Sequence, residues 1–126
     1  MRFVDDNRRL RKLKRYLGDI VSYGESVVAK LADVSLERFS GDTDLLHLVT
    51  YRLQCVSEAT KNVLGFDPEI AVRYPEIRWS QIRGIGNRLR HEYGDVRADI
   101  VWEAVRGNDV RSLIDVANAE LERYAD

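Results

Sequence analysis

Between residues 82 and 95 the chain reads Ile82-Arg83-Gly84-Ile85-Gly86-Asn87-Arg88-Leu89-Arg90-His91-Glu92-Tyr93-Gly94-Asp95. On a helix that turns about 100° per residue, Arg83, Asn87, Arg90 and His91 gather on one side, and Ile82, Ile85 and Leu89 share another. Each polar member brings a distinct capability. Arginine is a rigid fork of donors suited to phosphate, asparagine is an amide able to orient a neighbour, and histidine exchanges a proton near neutral pH. Cutting RNA needs a base for the 2′-hydroxyl proton, a cation for the crowded phosphorane and an acid for the leaving oxygen. Here His91 is the candidate acid or base, Arg90 or Arg83 the phosphate holder, and Asn87 the orienting amide. The same residues also fit a plainer arrangement, in which His91 caps a helix C-terminus and the arginines are solvated or paired with Glu92 and Asp95.

Positioning that cluster requires helices, and the apolar spacing supplies them. Leu10, Leu13, Leu17, Ile20, Val21, Val27, Val28 and Leu31 recur at steps of three and four, predicting a long helix from about Asp6 to Ala32 with Asp5 or Asp6 as its cap. Ser35–Phe39 reads as a short helical turn before the Ser40-Gly41-Asp42 loop. A second long helix is expected from about Thr43 to Leu64, antiparallel to the first and stopped by Gly65. Residues 65–78 hold both prolines, Pro68 and Pro75, and predict an irregular connector with one helical turn at Glu69–Val72. Trp79-Ser80 opens the focal helix. A last helical region begins near Ala98, pauses at Gly107-Asn108 and resumes with Val110, Leu113, Ile114, Ala117 and Leu121. No alternating apolar run competes, so the expected fold is an all-α up-and-down bundle of four to five helices in one domain, residues 1–126.

Bulk properties narrow the function. A net charge of −1 means that any nucleic acid must be met by a local patch rather than by the field of the whole molecule. The basic run Arg8-Arg9-Leu10-Arg11-Lys12-Leu13-Lys14-Arg15 is such a patch, with Arg8, Arg9, Arg11, Lys12 and Arg15 as candidate RNA contacts. Cations at a helix start oppose its dipole, which an RNA backbone or acidic partner would offset. A solvated face balanced by Asp5 and Asp6 is the plainer alternative. The single Cys55 excludes an internal disulfide and a multi-cysteine metal site, and it favours a reducing compartment, hence the cytoplasm. His47 and His91 are too far apart for a zinc spacing, so neither a metal nor another cofactor is expected. His47 is expected to be buried or at an interface. Glu58, in the most apolar helix, is either hydrogen-bonded inside the bundle or at a subunit contact, or an ordinary surface glutamate. Gly84-Ile85-Gly86 lacks the strand and the lysine-serine pair of a phosphate loop. No segment suggests a membrane span or a signal peptide, so a soluble, unprocessed chain is expected.

Taken together, several stretches resemble the HepT-like members of the HEPN superfamily, the toxin half of HepT/MntA toxin–antitoxin systems. They are Leu17-Gly18-Asp19-Ile20, Ser35-Leu36-Glu37-Arg38-Phe39, Leu53-Gln54-Cys55-Val56-Ser57-Glu58-Ala59, the segment from Tyr74 to Ile82, Gly86 to Tyr93, and Ile100-Val101-Trp102. The resemblance spans nearly the whole chain. It implies a homodimeric helical bundle acting as a metal-independent ribonuclease, with its active site where two subunits meet. It also implies a partner nucleotidyltransferase antitoxin of the MntA type that adds AMP to a tyrosine two positions after the histidine. Carried over by position, the polar residue is Asn87, the histidine His91 and the modified tyrosine Tyr93. The family arginine, five residues before the histidine, falls on Gly86, so the phosphate-binding cation must come from Arg90, first, or Arg83, second. Without such a cation, the chain would be a non-catalytic helical dimer that binds a nucleotidyltransferase as its interaction or substrate subunit.

Overall fold

The structure is a computed structural model that describes residues 2–91 and 97–125, with side chains for residues 6–89 and 97–125. Among the described residues there are seven helices and no strand: α1 (Arg2–Leu31), α2 (Leu36–Ser40), α3 (Thr43–Phe66), α4 (Ile70–Arg73), α5 (Trp79–His91), α6 (Ala98–Arg106) and α7 (Asn108–Arg123). The all-α bundle is as expected, and the helix count exceeds the expected four to five. The surplus comes from the short turns α2 and α4 and from the break between α6 and α7. At that break a Cβ on Gly107 would lie 2.7 Å from the Glu103 carbonyl oxygen, so only glycine lets the chain pass so close to the end of α6.

The pairing of the helices follows from which ends share a core. Leu13, Leu17 and Ile20 of α1 pack with Val56, Ala59 and Val63 from the later part of α3. Val27 and Leu31 from the end of α1 pack with Val49 and Leu53 from the early part of α3. The two long helices are therefore antiparallel. By the same reasoning α7 runs against α1, with Val110 and Ile114 in one cluster and Leu113, Val116 and Ala117 in the other. On the far side of α3, Ile82 joins the first cluster and Leu89 the second, so α5 is antiparallel to α3.

Local chemistry sets the ends of the elements. The Ser35 hydroxyl accepts from Arg38 N–H at 3.1 Å and the Asp42 carboxylate accepts from Leu45 N–H at 3.0 Å, capping α2 and α3. Arg106 donates to the carbonyls of Leu31 and Ala32, both at 3.2 Å, placing a cation at the C-terminus of α1. Two end signals resolve differently from expectation. Helix α1 begins at Arg2, so Asp5 and Asp6 lie inside it rather than at its cap. The basic run then starts beyond the first turn, where the dipole penalty has faded. Helix α3 runs past Gly65 to Phe66, whose ring packs against Tyr16 at a centroid distance of 5.8 Å, and this tertiary contact outweighs the glycine.

The connector between α3 and α5 is held by a charged clasp. Glu120 of α7 is 1% exposed and accepts from Arg73 and from Tyr74 Oη, the latter at 3.2 Å, while Arg73 also pairs with Asp67 at 2.5 Å. These bonds, Asp67 first, raise the Arg73 pKa further above its ordinary value. Burial, and then the neighbouring Glu120 carboxylate, raise that of Tyr74. The Trp79 indole donates to the Tyr74 carbonyl at 2.9 Å and fixes where α5 begins.

Candidate active site

Helix α5 is laid onto α3 by its apolar stripe and by one hydroxyl. Ile82 and Leu89 are buried, Ile85 is half-buried, and Gly86 is buried beside them. Where Gly86 meets α3, its N–H donates to Ser57 Oγ at 3.1 Å, and the same hydroxyl donates to the Arg83 carbonyl at 2.9 Å. Ser57 itself is 4% exposed, so its two hydrogen bonds are made away from water, where losing either is costly.

Beside that contact lies an open cleft of about 350 Å³. Helix α3 contributes Gln54, Ser57, Glu58 and Lys61 to its walls, and α5 contributes Ser80, Arg83 and Asn87. Arg83 and Asn87 are one turn apart and exposed, so a guanidinium and an amide share a solvent-accessible depression faced by an ammonium and a carboxylate. Such a mixture can hold a phosphate through Arg83 and Lys61 and a ribose hydroxyl through Asn87 or Glu58. Of the residues singled out from the sequence, Arg83 and Asn87 are thus brought together. The helix continues through His91, which places position 91 one turn beyond Asn87; the side chains of Arg90 and His91 lie outside the described residues, as does all of Tyr93.

Sequence reasoning did not single out Ser57 and Lys61 as members of the site. A small polar residue in the most apolar helix, facing a Gly-x-Gly segment, was the available signal for Ser57. Glu58 proves to be exposed on the rim, not inside the bundle. His47 is exposed as well, which removes the expectation of a buried histidine.

The basic run is divided by the helix that carries it. Arg8, Arg9, Arg11, Lys12 and Arg15 are all exposed. With Leu13 and Leu17 buried, helical geometry turns Arg8, Arg11 and Arg15 away from the core and brings Arg9 round toward α3. There its guanidinium carbon sits 5.1 Å from the centroid of the Phe66 ring.

Comparison with known proteins identifies the family. The family model described as ribonuclease HepT-like matches residues 7–120. The chain belongs to the HepT-like ribonuclease family. Among curated relatives, an RNase candidate of Methanocaldococcus jannaschii is 28% identical over 76% of this chain and 80% of its own length. Another RNase candidate, from Caldanaerobacter subterraneus, is 29% identical over 71% of this chain and 78% of its own. A ribonuclease HepT candidate of Thermococcus cleftensis is 28% identical over 82% of this chain and 90% of its own. No solved structure gives a significant match. The family match takes in α5 and the cleft beside it, so this HepT-like ribonuclease carries its candidate site on matched sequence. No described helix is long and apolar enough to cross a membrane.

Proposed function

We propose that the chain is the toxin of a type VII-like HepT/MntA toxin–antitoxin pair, a metal-independent endoribonuclease that cuts single-stranded RNA in the α3–α5 cleft. The observation that carries this reading is the pairing of Arg83 and Asn87 in one exposed cleft on the helix that continues to His91, within a chain of the HepT-like ribonuclease family. In this scheme His91 withdraws the 2′-hydroxyl proton as the 2′ oxygen attacks phosphorus. Arg83, aided by Lys61, stabilises the added negative charge of the phosphorane, the P–O5′ bond breaks as O5′ takes a proton from a water molecule, and the proton held by His91 returns to the hydroxide so formed. The products are a 2′,3′-cyclic phosphate and a 5′-hydroxyl, which balances every atom without a metal-bound water. Arg90, preferred over Arg83 from the sequence, is the alternative phosphate cation; Arg83 comes first because its side chain lines the cleft, while that of Arg90 lies outside the described residues.

Two further parts of the proposal rest on the family. A homodimer would complete the cleft between two copies, and a nucleotidyltransferase would silence the enzyme by adding AMP to Tyr93. A bulky anion placed two residues after His91 would repel RNA phosphate and fill the space it needs.

The deciding experiment is RNA cleavage by the purified chain in chelator. Wild-type protein is expected to cut; His91→Ala should lose activity by a factor of about 10² to 10⁴, and Arg83→Ala by about 10² to 10³. Cleavage that persists in His91→Ala removes the imidazole from the mechanism. A wild-type protein that forms a stable complex with a nucleotidyltransferase but cuts nothing is instead the non-catalytic subunit.

A further inference from the structure

A second cleft, of about 400 Å³, opens where the start of α1 passes the end of α3, between Arg9, Lys61, Asn62, Gly65 and Phe66. Lys61 stands in the walls of both clefts. On α3 the lining positions 54, 58, 61 and 65 follow helical spacing along one stripe, which at 1.5 Å per residue is about 16 Å long. The two clefts are therefore stations on one surface track, bounded by α5 at one end and α1 at the other, long enough for several nucleotides.

The chemistry of the second station differs from that of the first. Arg9 lies over Phe66 at 5.1 Å from the ring centroid, and Phe66 is in turn backed by Tyr16 at 5.8 Å. Arg9 is exposed, and a guanidinium held over a ring offers a planar cationic group on which a nucleobase can stack. Lys61 adds a point charge for the adjoining phosphate, and the Asn62 amide can donate to and accept from a base edge. The only carboxylate on this track among the lining residues is Glu58, and it belongs to the first cleft.

We propose that Arg9, stacked on Phe66, forms with Lys61 and Asn62 a second nucleotide subsite that grips the RNA strand on one flank of the bond being cut. The inference rests on the RNA-cleaving reading and goes beyond it in assigning an extended substrate and one specific member of the basic run. Arg8, Arg11 and Arg15 face the opposite side of α1 and take no part.

The test compares binding of a labelled dinucleotide and a ten-nucleotide single-stranded RNA to full-length His91→Ala protein, by fluorescence anisotropy. The longer RNA should bind more tightly, and Arg9→Glu should reduce that length-dependent gain about tenfold. Phe66→Leu, which keeps apolar packing but removes the ring, should reduce it too. Arg9→Lys should fail to restore it, because the charge survives and the flat face does not. Arg111→Glu on α7 makes the same change in charge far from the track and should leave the gain in place. Equal losses from Arg111→Glu and Arg9→Glu, or full retention in Arg9→Lys, would overturn the subsite. Failure of the RNase reading is seen separately, as wild-type protein that cuts neither RNA, while a cutting enzyme whose length gain ignores Arg9 sinks only the subsite.

Discussion

One hydroxyl and one carboxylate carry consequences out of proportion to their size. Ser57→Ala removes both an acceptor for Gly86 N–H and a donor to the Arg83 carbonyl, and with them the polar link between α3 and α5 at the cleft. A loss of about 1–3 kcal/mol is expected in a urea melt, together with lower kcat, since α5 is then free to shift the residues it presents. Glu120→Ala should cost a similar amount, about 1–3 kcal/mol, because Tyr74 and Arg73 lose a buried partner while Arg73 keeps Asp67. Tyr74 also gives the clasp a pH dependence. Its folded pKa is raised above the unfolded value, so the protonated phenol stabilises the fold fully below the ordinary tyrosine range, and that contribution is lost as pH rises through the folded value. Thermal melts should therefore decline on the alkaline side, and Tyr74→Phe should flatten that part of the decline. The sequence displayed Arg83 and Asn87 plainly, since both follow from helical spacing on one segment. It hid Ser57, because a serine in mid-helix has the same local signature whether it bridges to another helix or points at solvent.

Elements were legible wherever their limits are local and obscure wherever a neighbour decides. The long helices, their antiparallel pairing and the start of α5 at Trp79 all follow from spacing and turn residues. The extension of α3 past Gly65 does not, because the contact between Tyr16 and Phe66 joins residues 50 positions apart. The break between α6 and α7 was legible at Gly107, though its cause is not the usual one. The backbone there is extended, at φ −69° and ψ 179°, so glycine is required for the approach to the Glu103 carbonyl and not for a left-handed turn. Gly107→Ala should cost about 1–3 kcal/mol and lower the melting temperature, although a glycine-to-alanine change next to a helix is ordinarily stabilising. An unchanged melting temperature would show that α6 can shift without cost.

At the scale of the whole molecule, a net charge of −1 means that RNA must be met by a local patch, the proposed one lying along the track. If Arg83 and Lys61 are the phosphate contacts and Arg9 stacks on a base, the binding constant should fall with salt on a log–log slope of about −1.4, at roughly −0.7 for each contact to single-stranded RNA. A slope near −4 or steeper would mean that the opposite face of α1 also takes part. The proposed homodimer is expected to sediment at twice 14.6 kDa. A monomer at the concentrations where RNA is cut would require the cleft of one chain to suffice.

The bond from Gly86 to Ser57 also gives the molecule a built-in reporter. Most helical amides are protected from solvent deuterium by a carbonyl of their own helix and exchange when that helix frays. The Gly86 amide, inside α5, donates in addition to a side chain of another helix, so its proton should exchange more slowly than those of α5 neighbours without such a bond, and Ser57→Ala should remove the difference. That difference, followed by NMR, would report how firmly α5 is held to α3 at the floor of the candidate cleft.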